Sequence, residues 1–289
     1  MANVNLKPKA ELKLNKNNKM KENVNQEQRA FLTWTILANC AQKNEPITYG
    51  ELGRQLNVHH RPIRFILAII QDFCMNNALP PLTILVLNKN TGMPGIGFIA
   101  YDIENSQDGI NKVYAFNWAA LQNPFEYAKV GTTEHQLIVE LIDSPEASAD
   151  VFAKVKVRGI SQRIFRQALL KVYDSSCAIC GFSFEEALEA SHIIPYSKGN
   201  FAQRLDVRNG LLLCSIHHKL FDNGFITLNQ DYTIDYYDNE EKLRKYSSYV
   251  RIMTVNFHGQ SLKLPKKEKH LPNKEYLKQH QEIGNHSRS

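Results

Sequence analysis

The chain has 289 residues, is 43% hydrophobic and 22% charged, and carries a formal charge of +6. That length and apolar content support buried cores and suggest two modest domains rather than one. No apolar run approaches the ~18 residues of a membrane span. No secretory hydrophobic region opens the sequence, so a reduced, cytoplasmic setting is expected.

The positive charge sits at the two ends. Residues 1–29 hold seven Lys/Arg against three Asp/Glu, and residues 239–289 hold eleven against five. Residues 30–156 hold nine against twelve, and residues 157–238 hold eight against nine. The Lys/Asn-rich residues 1–25 lack hydrophobic periodicity and read as a disordered basic arm. Such an arm either adds salt-sensitive contacts to nucleic acid or serves solubility alone.

Residues 26–130 read as a separate unit. Gln26–Lys43 carries Phe31, Trp34, Ile36 and Leu37 at helical spacing. Thr48 can cap a second helix, Tyr49–Leu56, with Glu51 completing a capping box. A third helix follows, with Pro62 near its first turn and Ile63, Ile66, Leu67 and Ile70 along it. Leu82–Leu87, a Gly/Pro-rich turn and Phe98–Tyr101 then read as a strand hairpin. Three helices and a hairpin are the order of a winged helix-turn-helix. Its third helix would face DNA through His59, His60, Arg61 and Arg64. The phrase Ile47-Thr-Tyr-Gly-Glu-Leu52 also resembles the winged-helix part of DNA alkyltransferases. Their Pro-Cys-His-Arg motif is absent here, so that chemistry is not carried over. The alternative is a helical scaffold that contacts protein, which the slight acidity of the region favours.

Residues 131–156 form a connector, with a helix over Thr132–Asp143, a break at Ser144-Pro145 and a short alternating strand over Val151–Val157. Residues 157–289 make the second domain. There Phe165, Leu169, Leu170, Val172 and Tyr173 mark a helix that packs against the segment beginning at Cys177.

The stretch from Cys177 to Asp222 is dense in metal-ligand residues. Cys177-x-x-Cys180 and Cys214-x-x-His217 supply three thiols and an imidazole, the ligand set of a closed tetrahedral zinc site. The other reading of Cys177 and Cys180 is as small buried hydrophobes, the role expected of Cys40 and Cys74. His217 has a rival in its neighbour His218. His218 and Asp222 are four apart and share one helix face, whereas His217 projects about 100° away, toward the side of Cys214. One helix can therefore present Cys214 and His217 to zinc, and His218 and Asp222 to a second cation.

This segment resembles the HNH nucleases. Ser191-His192-Ile193-Ile194-Pro195 stands where that family has its first histidine, Asn209 matches the asparagine, and His218 matches the last histidine. The phrases Gln162–Tyr173, Leu188-Glu-Ala-Ser-His192, Asn209-Gly-Leu-Leu-Leu and Leu220-Phe-Asp-Asn-Gly224 are similar to one bacterial subfamily of HNH restriction endonucleases. The similarity continues through Leu262–Pro265 and Pro272–His280. It implies an α+β chain, with the winged-helix-like domain followed by a ββα-metal (HNH) nuclease domain that carries a Cys3His zinc site.

The implied activity is metal-dependent hydrolysis of DNA, in a bacterial restriction or defence system. His192 would be the general base. His218 and Asp222 would hold a divalent cation, with Mg²⁺ the best match and Mn²⁺ or Ni²⁺ alternatives. Asn209 would order the loop that orients His192. Relatives often place an Asp or His ligand just before the base, where this chain has Ser191. One finger should cut one strand, so a double-strand break would need a homodimer or two nicks. Lys198, Arg204 and Arg208 read as solvated loop charges or as phosphate contacts. Two other functions remain: a non-catalytic zinc-stabilised DNA-binding protein, which Ser191 favours, and an RNA-cleaving toxin.

Overall fold

A computed structural model describes residues 24–155, 157–238 and 245–288, with side chains placed as far as residue 282. Residues 1–23 of the expected basic arm over residues 1–25 lie outside the described residues, while Asn25 caps the first helix.

The N-terminal lobe is built on helix α1 (Gln26–Lys43). The Asn25 side chain caps it by accepting from Gln28 N, and Asn44 ends it in the left-handed region at φ 55°. Strand β1 (Ile47–Thr48) leads into α2 (Tyr49–Leu56), whose capping box pairs Thr48 with Glu51 as expected. Helix α3 (Ile63–Asn76) starts directly after Pro62 and buries Ile63, Ile66, Leu67, Ile70 and Phe73. Trp34 is the hub of the lobe, edge-on to Phe73, Trp118 and Phe125 at centroid distances of 5.6, 5.6 and 6.0 Å.

The expected strand hairpin does not form. Leu82–Leu85 is a 3-10 turn, and only Val86–Leu87 (β2) is extended, paired in parallel with β1. One isolated bridge joins Leu87 to Pro94. Phe98–Tyr101 stays irregular because a side chain replaces its strand partner. Gln71 on α3 accepts from Ile99 N at 3.0 Å and donates to the Gly97 carbonyl at 3.4 Å. The winged-helix order is thus present in its helices but not in its wing.

Helix α4 (Ser106–Ala115) precedes α5 (Glu134–Asp143), which Thr133 and Gln136 cap reciprocally. Of the expected strand Val151–Val157, residue 156 lies outside the described residues, and residues 151–154 are instead the end of helix α6 (Ser148–Lys154). Its two core residues, Val151 and Val155, are spaced for a helix face rather than for alternation. Helix α7 (Arg158–Val172) joins the lobes. Arg163 on α7 pairs with Glu134 on α5, and Glu134 N donates to Glu27 on α1 at 2.8 Å.

The second lobe sits on α7. Strand β3 (Leu188–His192) pairs antiparallel with β4 (Gly210–Cys214), in a register that sets His192 opposite Gly210. A Cβ on Gly210 would lie 2.7 Å from Phe165 and Leu169, so the bare backbone is what lets α7 approach. The loop between the strands contains α8 (Phe201–Leu205). Helix α9 (Ser215–Asp222) succeeds β4 without a linker and packs on β3 and β4. The hairpin β5 (Ile226–Leu228) and β6 (Ile234–Tyr236), then α10 (Ser248–Met253) and α11 (Lys274–Arg288), complete the lobe. Among the described residues, no helix is long and apolar enough to cross a membrane.

Candidate active site and metal centre

Two turns and one helix end bring four metal-ligand residues together. Ligand atoms of Cys177, Cys180, Cys214 and His217 all lie within 4.8 Å of one another. Cys214 Sγ is 3.2 Å from His217 Nδ1, Cys177 Sγ is 3.6 Å from the same nitrogen, and Cys180 Sγ is 3.9 Å from Cys214 Sγ. A tetrahedral ion with metal–sulfur bonds of ~2.3 Å sets ligand edges of about 3.8 Å, so the cluster has the right size. Gly181, at φ 77°, turns the chain after Cys180. His217 is fully buried, and its Nε2 donates to the Met253 carbonyl at 3.0 Å. That bond leaves Nδ1 as the ring's ligand atom and fixes its aim. The thiols of Cys180 and Cys214 hold the Cys177 thiol below its usual range, while the same contacts push the Cys214 thiol up, so the cluster shares its protons. Cys74, by contrast, is buried with its thiol pushed up to about 12, and belongs to the core.

The opposite face of α9 carries a different set. His218 Nε2 is 3.4 Å from Asp222 Oδ2, one turn on, and Glu189 Oε2 lies 2.9 Å from His218 Nδ1. Ser191 Oγ donates to Asp222 Oδ1 at 3.5 Å. Glu189 and Ser191 alternate along β3 and both reach α9, one contacting each residue of this pair. Sequence reasoning missed Glu189. The period-2 pattern of Leu188–His192 puts Glu189 and Ser191 on one strand face, but only the packing of α9 on β3 brings that face to His218.

His192 ends β3 and is half-buried, stacked on Phe165 at 4.2 Å with Tyr196 edge-on at 5.7 Å. Its Nε2 donates to the Arg204 carbonyl at 3.0 Å, which leaves Nδ1 as the acceptor. Burial lowers its pKa below the ordinary histidine value, against the opposing pull of the Arg204 carbonyl and of Asp222. Asn209 is fully buried and clamps the interstrand loop. Its Oδ1 accepts from Ile194 N at 2.8 Å, and its Nδ2 donates to the carbonyls of Gln203 and Ile194 at 2.9 and 3.2 Å. Ile194 and Gln203, the latter adjacent to His192's partner Arg204, are therefore held by one side chain.

His192, His218 and Asp222 line one cavity of about 480 Å³, together with Tyr196 and His280. His280, on α11, stacks on Phe221 at 4.4 Å and bonds the Ile193 carbonyl through Nδ1 at 2.9 Å. Arg208 is committed to Asp206 and Glu146, and Arg204 to the carbonyls of Tyr196 and Gly199. Of the three loop cations, Lys198 alone is exposed. In the N-terminal lobe, His59, His60, Arg61 and Arg64 are all exposed around the start of α3.

A family model described as HNH endonuclease matches residues 177–229. This segment is similar to that family over those residues. The match spans both faces of α9, His192 and Asn209, while Phe165 on α7 stacks on His192 and His280 lines the cavity from outside it. No curated protein matches the chain. The matched residues contain the ββα unit of β3, β4 and α9.

Proposed function

We propose that the protein is a metal-dependent DNA endonuclease of a bacterial restriction or defence system. The observation that carries this reading is the committed Nε2 of His192, which turns Nδ1 into a base beside His218 and Asp222. A neutral imidazole with a lowered pKa can take a proton from water at neutral pH. Asn209 is the positioning residue, since it fixes the loop whose carbonyl holds His192.

His218 and Asp222 would hold the divalent cation, with the Glu189 carboxylate beside His218 Nδ1 adding negative charge to that face. When bound, the cation supplies charge stabilisation for the phosphorane and the leaving 3′ oxygen. Two protein ligands and a serine suit an ion that keeps several waters, so Mg²⁺ fits best, with Mn²⁺ or Ni²⁺ as substitutes. Cys177, Cys180, Cys214 and His217 would hold a structural Zn²⁺. The exposed His59, His60, Arg61 and Arg64 would make α3 the DNA-facing element. A single site would nick, and a homodimer would cut both strands. The restriction or defence setting, in the cytoplasm, rests on the resemblance of the flanking phrases to that subfamily.

A second reading is a zinc-stabilised DNA-binding protein without catalysis, and Ser191 favours it. Ser191 is buried and bonded to Asp222, however, so it braces the cation face instead of leaving a gap in it. The test is supercoiled plasmid and structured RNA incubated with Mg²⁺, Mn²⁺ or Ni²⁺, using wild type and His192→Asn. Metal-dependent nicking of DNA by the wild type alone is expected. Intact plasmid under every metal would remove the nuclease reading, and cleavage of RNA alone would change the substrate.

A further inference from the structure

The N-terminal lobe holds a cleft larger than the nuclease cavity, about 910 Å³, between α2, α3 and the 88–98 loop. Residues 30–156 carry more acidic than basic side chains, yet none of the residues lining this cleft is acidic. Arg61, Arg64, Lys89 and His60 line it, whereas Leu67, Ala68, Pro94 and Phe98 offer an apolar surface. The loop that closes the cleft is held in place. Gln71 ties Gly97 and Ile99, and a Cβ on Gly95 would fall 2.6 Å from the Tyr49 hydroxyl.

The lining also includes Thr83, which is only 3% exposed. Its Oγ1 has no hydrogen-bond partner among the described residues. A buried hydroxyl without a partner is costly unless a ligand supplies one.

We infer that this cleft binds a nucleotide, with the base against Phe98 and Leu67, a polar base edge at Thr83 Oγ1, and phosphate at Arg61, Arg64 and Lys89. The three features call for one molecule that is flat and apolar on its faces, polar at its edge, and anionic at one end. A nucleotide of a DNA strand and a free mononucleotide share that chemistry. The inference rests on α3 being the DNA-facing helix and is independent of whether the second lobe cuts.

The test is equilibrium binding to the full chain without added divalent cation, so that the probes stay intact. The probes are a fluorescent single-stranded 12-mer, the same length of abasic deoxyribose-phosphate backbone, and the four deoxynucleoside 5′-monophosphates as competitors. The 12-mer should bind at least ~10-fold more tightly than the abasic strand, since stacking one base contributes that much. Thr83→Val should shrink this preference roughly 5-fold, the effect of one lost hydrogen bond, while raising the thermal midpoint by ~2–4 °C. Ala68→Trp should abolish the preference by filling the cleft. Arg61→Ala and Arg64→Ala should weaken both strands equally and flatten the salt dependence. Competition by monophosphates assigns the cleft to a free nucleotide, and competition by the strand alone assigns it to DNA. Equal binding of the 12-mer and the abasic strand, or a preference untouched by Thr83→Val and Ala68→Trp, overturns the inference. If strand binding is also indifferent to Arg61 and Arg64, the DNA-facing role of α3 falls with it, and plasmid nicking would still judge the nuclease separately.

Discussion

His217 and His218 are adjacent in sequence and serve opposite faces of α9. His217 Nδ1 lies 3.2 Å from Cys214 Sγ in the buried cysteine cluster, while His218 Nε2 lies 3.4 Å from Asp222 Oδ2 beside the cavity. A helix rotates about 100° per residue, so two neighbours can be aimed at two different ions. The same eight residues therefore turn one histidine toward the cysteine cluster and the other toward the cavity.

His192→Asn should reduce plasmid nicking by roughly 10²–10⁴-fold, the usual effect of losing a general base. Asparagine keeps some contact with Phe165, although its shorter side chain does not reach the Arg204 carbonyl as Nε2 does. His192→Ala would mix loss of catalysis with loss of a stacked ring, because His192 is more buried than a surface-facing base would be. Circular dichroism melts beside the nicking rates separate the two effects.

The pH dependence derives from the lowered pKa of His192. Only the neutral ring accepts a proton, so the rate should be flat above the ordinary histidine value of ~6.5. It should fall as pH drops through the lower value of the folded protein. Below ~6.5 the unfolded chain binds this proton more readily than the folded one, so the stability contributed by this group is full above that pH and declines with acidification. A rate profile with its acid limb above pH 7 would contradict the assignment.

Glu189→Gln should weaken the activating cation roughly 10–100-fold while leaving the maximal rate at saturating metal largely unchanged. Titrating Mg²⁺ or Mn²⁺ against nicking rate reads this directly. A drop in maximal rate with unchanged metal dependence would remove Glu189 from the cation face.

Asn209→Ala removes three hydrogen bonds from a fully buried site and leaves the backbone of Ile194 and Gln203 unpaired. A loss on the order of 3 kcal/mol in chemical denaturation is expected. Nicking should fall as well, because the loop that supplies the Arg204 carbonyl loosens.

The metal faces were legible because ligand spacing is a local property. Cys177-x-x-Cys180, Cys214-x-x-His217 and the four-residue step from His218 to Asp222 need only a turn and a helix to be read. Glu189 was not legible in that way, since its contact with His218 depends on how α9 lies across β3. His280 likewise reaches the cavity only through the docking of α11. In the first lobe, the three helices were readable from apolar periodicity and the Thr48 cap. The hairpin failed because Gln71, a side chain 26 residues from Gly97, satisfies the backbone that a strand would have paired. Val151–Val157 was misread because alternating valines also place Val151 and Val155 on one helix face.

The central claim, two metal faces on one helix, is tested most directly by metal analysis of wild type, His217→Ala and His218→Ala after dialysis against a weak chelator, alongside nicking assays and thermal melts. One tightly held zinc per chain is expected in wild type and in His218→Ala, whose melting should be near normal and whose cleavage should be lost. His217→Ala should lose the zinc and melt roughly 10 °C or more lower, because a structural zinc contributes on the order of 10 kcal/mol in small fingers. Zinc missing from folded, active wild type, or zinc lost from His218→Ala but kept by His217→Ala, would contradict the account.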